Sequence, residues 1–133
     1  MMKKLTENYL YNTAISALSF LWIFTGLTSI SFHPEVGYQI LSNANINGTL
    51  ADISVLGGGA LDIMLGVWLL TNYRMKLCCV IQIAVISIYT LLLTIIDASY
   101  WLHPFGPITK NIPIAVLILF LINQTDKDSK QQV

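Results

Sequence analysis

Charge is the scarcest commodity in this chain. Seven Lys or Arg and seven Asp or Glu cancel to a formal net charge of zero and make up only 11% of the residues, against roughly 25% in soluble domains. No basic run is present that would hold a phosphate backbone, which argues against nucleic acid as a partner. Cysteine is equally thin. Cys78 and Cys79 are neighbours and do not form the C-x-x-C spacing of a dithiol redox site. Adjacent helical residues point about 100° apart, so a bond between the two would be strained. They read as two small core- or lipid-facing side chains, with acylation of a juxtamembrane thiol as the functional counterpart.

What is abundant is apolar. Four hydrophobic runs, Leu10–Phe32, Leu50–Thr71, Leu77–Ile96 and Ile108–Ile122, fill most of the 133 residues. A bilayer core takes about 20 apolar residues per helical span, and in lipid each segment must satisfy its own backbone, which means helices here. Lys3 and Lys4 before the first run mimic a signal peptide, but Glu7, Asn8 and Asn12 intervene and no small-x-small cleavage site follows. The expected architecture is all-α: an integral membrane four-helix bundle with a short outer interfacial helix. Residues 1–125 are expected to form a single four-span membrane domain, and 126–133 a short, frayed polar cytoplasmic tail.

The basic residues set the expected orientation. Lys3 and Lys4 precede the first span, Arg74 and Lys76 lie between the second and third, and Lys127 and Lys130 follow the fourth. The connection His33–Thr49 has no Lys or Arg, and Lys110 alone lies in the last connection. The positive-inside rule then places both termini and the Arg74 loop in the cytoplasm. In the first outer connection, Pro34 and Glu35 open a stretch with Val36, Ile40, Leu41 and Ala44 on one face, the stripe of a short amphipathic helix lying on the membrane surface. Asn47-Gly48 marks the turn into the second span. The last connection, His103-Pro104-Phe105-Gly106-Pro107, is too rich in Pro and Gly for helix.

Asp62 is the sharpest single residue. It sits near the middle of the second span, where an exposed charge would cost at least a few kcal/mol. Gly58, Asp62 and Gly66 share one face by their spacing of four. One reading gives Asp62 a proton, cation or polar ligand to hold. The other makes it a carboxyl hydrogen-bonded to a Ser, Thr or Trp of a neighbouring helix. Ser87, Thr90, Thr94 and Asp97 form a stripe on the third span, and Ser19, Trp22, Gly26 and Ser29 one on the first. Both stripes are expected to face the interior, as packing groups or as the lining of a small polar cavity around Asp62. The ligand-binding candidates are therefore Asp62, Trp22, Gly58, Ser29, Thr90 and Thr94. The outer-face candidates are His33, His103, Asp97, Lys110 and Asn111; Asp97 and Lys110 read either as a salt bridge under the last loop or as a solvated aspartate and a snorkelling lysine. His33 and His103 lack a clear third ligand, so no metal site is expected.

Three segments carry a family resemblance. Trp22-x-x-Thr25-Gly26-Leu27-Thr28-Ser29, Gly57-Gly58-Gly59-Ala60-Leu61-Asp62 and His103-Pro104-Phe105-Gly106-Pro107-Ile108-Thr109-Lys110-Asn111-Ile112-Pro113 resemble the DoxX-like family of small bacterial membrane proteins, across about Leu10 to Ile122. The resemblance implies a multi-pass bundle in the bacterial inner (plasma) membrane. The wider superfamily is named for a subunit of a thiosulfate:quinone oxidoreductase, and relatives occur fused to or beside short-chain dehydrogenase-like proteins. A quinone as ligand and a redox protein as partner are what it implies, although fold alone does not fix function.

Three functions compete. No complete catalytic constellation is present, which favours a non-enzymatic accessory or ligand-binding subunit for a lipid- or quinone-like molecule. A quinone-linked oxidoreductase component, with Asp62 or the two histidines handling protons, is the second. The third is a small proton-coupled transporter resembling small multidrug exporters, but the first span lacks their acid: none lies between Glu7 and Glu35. No cofactor is demanded by any motif. Membrane lipids are expected partners, and homodimerisation through the glycine face is a further expectation.

Overall fold

The computed structural model describes residues 1–131, and its regular structure is all helical, with no strand among them. Its helices are α1 (Met2–Leu27), α2 (Pro34–Asn43), α3 (Thr49–Thr71), α4 (Met75–Ile96) and α5 (Asn111–Gln131). A π turn, Thr28–Phe32, prolongs α1, and a 3₁₀ turn, Ala98–Leu102, follows α4. Three stretches, Met2–Phe32, Thr49–Thr71 and Met75–Ile96, are long and apolar enough to cross a membrane. In α5 the apolar run from Ile112 to Ile122 gives way to a polar second half.

Local chemistry explains the boundaries. Pro34 pushes its predecessor out of the helical region, and His33 sits at φ −140°, ψ 56°. The helix ends there in a wide turn, with the His33 N–H on the Thr28 carbonyl at 2.8 Å. Pro34, which needs no donor partner, then opens α2. Gly48 enters α3 at φ 67°, ψ −142°, a region essentially confined to glycine.

Several boundaries differ from the sequence expectations. The first helix starts at Met2, well before Leu10, because nothing in Lys3–Asn12 breaks it. The final helix starts at Asn111, after Ile108: Gly106 at φ 52° and Pro107 hold the chain in turns, while Ile108 is fully buried as a loop residue. The stretch from Asp126, expected to fray, stays helical to Gln131, and Asp126 pairs with Lys76 at 2.9 Å. Residues 132 and 133 of that tail lie outside the described residues.

Packing is tightest between α1 and α3. A Cβ placed on Gly26 would lie 2.5 Å from the Gly59 carbonyl oxygen, and one on Gly66 would lie 2.9 Å from that of Ser19. Two backbones this close need small residues at the seam. The α4–α5 pair closes the other side, and Leu18, Leu65, Leu69, Cys78, Cys79, Ile118 and Leu121 fill the interior. Outward, Phe20, Phe24, Leu56, Met64, Leu70, Ile88, Leu91 and Ile95 stand exposed. An apolar girdle of this extent suits lipid as the surrounding solvent. Tyr11 and Thr125 meet at 3.5 Å, so the first turns of α1, the start of α4 and the end of α5 gather at one end. At the opposite end sit α2 and the 97–110 loop.

Candidate functional site

The polar residues inside the bundle form two linked pairs. On α3 the residues Gly59, Asp62, Gly66 and Leu69 recur at helical spacing and are all buried. On α4 the matching stripe is Cys78, Gln82, Val85 and Tyr89, the last partly exposed. Where the stripes meet, the Tyr89 hydroxyl donates to Asp62 Oδ1 at 3.3 Å, and Asp62 is 4% exposed. Toward the α4 N-terminus, Trp22 of α1 donates its indole N–H to Gln82 Oε1 at 2.7 Å. The Gln82 amide in turn donates to Cys78 Sγ at 3.4 Å. The Gly26–Gly59 and Ser19–Gly66 contacts run antiparallel, and that register brings Asp62 within a helical turn of the level of Trp22. Ser19, also buried, is the one interior side chain among the described residues whose oxygen has no partner.

Such bonds have little competition in a dry interior. An unpaired amide or carboxyl there forfeits most of its solvation, so each donor that finds an acceptor helps set which helix faces which. Asp62 and Tyr89 together are a carboxyl and a phenol within hydrogen-bond reach. Trp22 and Gln82 are an indole donor held by an amide.

Thr90 and Thr94 lie further toward the loop end and serve a different pair of contacts. Asn111 donates its side-chain amide to Thr90 Oγ1 at 3.0 Å, and the Trp101 indole donates to Thr94 Oγ1 at 3.0 Å. These bonds latch the Pro-rich loop and the start of α5 onto α4. Ser87, from the same sequence stripe, is exposed and back-bonds to the Ile83 carbonyl of its own helix. Of the glycines, Gly58 faces Tyr89, with its hydroxyl 3.4 Å from a built Cβ, while Gly59 and Gly66 occupy the α1 seam and Gly57 is open. Ser29 lies partly exposed in the π turn.

The outer-face residues stay apart. His33 Nδ1 pairs with Glu35 at 2.8 Å, and hydrogen bonding to His33 holds the Glu35 carboxyl below its usual range. His103 Nδ1 accepts the Phe105 N–H. No group of three or more His, Cys, Asp or Glu gathers among the described residues. The Asp97–Lys110 salt bridge, one of the two readings of that pair, is absent among them. Asp97 instead turns back to cap the 3₁₀ turn, accepting the Ser99 N–H at 2.9 Å, and bonds from Ser99 hold its carboxyl below the ordinary range. A bond to a backbone N–H two residues on wins over a bridge across a loop because it orders far less chain. Tyr38 of α2 donates to Asp52 at 2.9 Å, which raises its own hydroxyl pKa and ties α2 to α3.

Sequence reasoning missed Gln82 and Tyr89. Both were legible: Gln82 is the one amide within Leu77–Ile96, and Tyr89 follows it by seven on the same face.

A family model described as the DoxX-like family matches residues 19–119, which take in every member of both interior pairs. No curated protein and no solved structure matches the chain.

Proposed function

The chain belongs to the DoxX-like family, and from that premise we propose that it is a non-enzymatic accessory subunit of the bacterial inner membrane. In this reading α1, α3, α4 and α5 make four crossings; the apolar run of α5 is short for a span, and its polar second half carries the helix on to Gln131. Both termini and the Arg74 turn face the cytoplasm, as the gathering of Lys3, Lys4, Lys76 and Lys127 toward one end supports. The amphipathic α2 lies on the outer membrane surface.

One observation carries the reading. The paired interior donors are spent on protein acceptors, Trp22 on Gln82 and Tyr89 on Asp62, with the Ser19 hydroxyl the one interior oxygen among the described residues left without a partner. A catalytic or transport site keeps such groups for a substrate, in a cleft that admits it. Here they lock helices together, as expected of a scaffold on which another protein or a lipid-like molecule docks.

The second reading, a quinone-linked component, is favoured by Asp62 itself. Its carboxyl has a single hydrogen bond, from Tyr89, leaving one oxygen uncommitted for proton exchange. Gentle extraction of the full chain, with identification of co-purifying proteins and quinones for wild type and Asp62→Asn, separates the two. The accessory reading expects the same partner with both proteins. Stoichiometric quinone lost from Asp62→Asn, or proton-coupled flux in proteoliposomes abolished by it, would overturn that reading.

A further inference from the structure

The turn from α3 to α4 carries a feature that the interior pairs leave unused. Between the first turns of α4 and the polar part of α5 lies a shallow, open and almost wholly apolar groove of about 480 Å³, lined by Arg74, Met75, Lys76, Leu77, Val80 and Thr125. Its floor is aliphatic, with Leu77 and Val80 exposed on the lipid-facing side. Its mouth holds two cations. Lys76 is paired with Asp126 at 2.9 Å. Arg74 has no carboxylate partner among the described residues, and its guanidinium lies 5.6 Å from the neighbouring Tyr73 ring. The mouth therefore carries one positive charge more than its single carboxylate cancels.

We propose that this groove binds an anionic phospholipid of the surrounding leaflet, its phosphate against Arg74 and Lys76 and an acyl chain along Leu77 and Val80. The chemistry fits at both ends. A guanidinium fork matches phosphate oxygens in pairs, and basic side chains at the edge of a span attract anionic headgroups by about five-fold in affinity each. Leu77 and Val80 continue the charged mouth into the hydrocarbon, so head and tail are met in the order a lipid presents them. Placing the groove in the cytoplasmic leaflet rests on the orientation proposed above; the binding does not.

Arg74 also offers a clean variant. It sits at φ 45°, a backbone conformation that glycine adopts without strain and a bulky side chain does not. Arg74→Gly thus removes the guanidinium while suiting the turn. The test is native mass spectrometry of the full chain released from nanodiscs of phosphatidylethanolamine with phosphatidylglycerol. Wild type is expected to retain phosphatidylglycerol preferentially, Arg74→Gly to lower that preference about five-fold, and Arg74→Gly with Lys76→Gln to remove it. Lys3→Gln with Lys4→Gln, away from the groove, is expected to leave it intact. No preference in wild type, or a preference undiminished by Arg74→Gly, overturns the proposal. So does full displacement of the lipid by inorganic phosphate, which would mark a free-anion site. Labelling of single cysteines at Glu35 and Lys76 in membrane vesicles reads the orientation separately, so an inverted topology with intact lipid preference would sink the orientation alone.

Discussion

Gly26→Ala is the most direct probe of how the bundle is held together. The added Cβ would stand 2.5 Å from the Gly59 carbonyl oxygen and 2.7 Å from Ile63 Cγ1, where ordinary contact begins at 3.4 Å. The side chain of Ile63 can rotate; the carbonyl belongs to the backbone of α3 and cannot. Relief therefore requires α1 and α3 to part by about 1 Å, loosening the seam from Ser19–Gly66 to Ile30–Gly59. Overpacking of this kind costs about 1–3 kcal/mol, while replacing Gly by Ala in a helix returns up to about 1 kcal/mol. A net loss of about 1–2 kcal/mol is expected. Gly57→Ala is the matched control, since its Cβ meets nothing within 4 Å; it should be neutral or stabilising by up to about 1 kcal/mol. Reversible unfolding in mixed micelles, followed by tryptophan fluorescence, measures both. Equal stability of Gly26→Ala and wild type would refute the close-approach argument, as would equal damage from the two substitutions.

Two further outcomes follow from the hydrogen bonds. A double-mutant cycle on Trp22→Phe and Gln82→Leu should give a coupling of about 0.6 kcal/mol, the average for interhelical bonds in membranes, and at most about 1.7 kcal/mol; a value of zero would mean the 2.7 Å bond does not form. At the outer loop, Asp97 has its carboxyl lowered by bonds from Ser99. A lowered folded-state value means the cap is fully present above the ordinary carboxylate range, near 3.9, and is lost as pH falls through and below it. Amide exchange at Ser99 should therefore stay protected from pH 7 downward and rise only below about pH 3.9. A midpoint above that value contradicts the capping geometry.

The membrane character of the chain was readable before any coordinates, because hydrophobic run length answers to bilayer thickness and needs no knowledge of neighbours. So were the turn at Asn47-Gly48 and the irregular His103–Pro107 loop, since Gly and Pro act on their own backbone. Asp62 was recognised as costly from its depth alone. Its partner was not. Tyr89 is far away in sequence and becomes adjacent only through the contact of α3 with α4. The same limit hid the Trp22–Gln82 pair, and it moved Thr90 and Thr94 from an imagined cavity to a latch on Asn111 and Trp101.

Sequence alone therefore determined which segments are apolar helices, which residues break them, and that an acid is buried midway along one of them. Those are properties of local chemistry and of solvent. Only tertiary structure decided that Gly59 and Gly66 are spent on α1, and that Asp97 caps its own turn in preference to Lys110. Pairing is settled by which helix faces meet at close range, and helical periodicity restricts a residue to a face without naming the neighbour across from it.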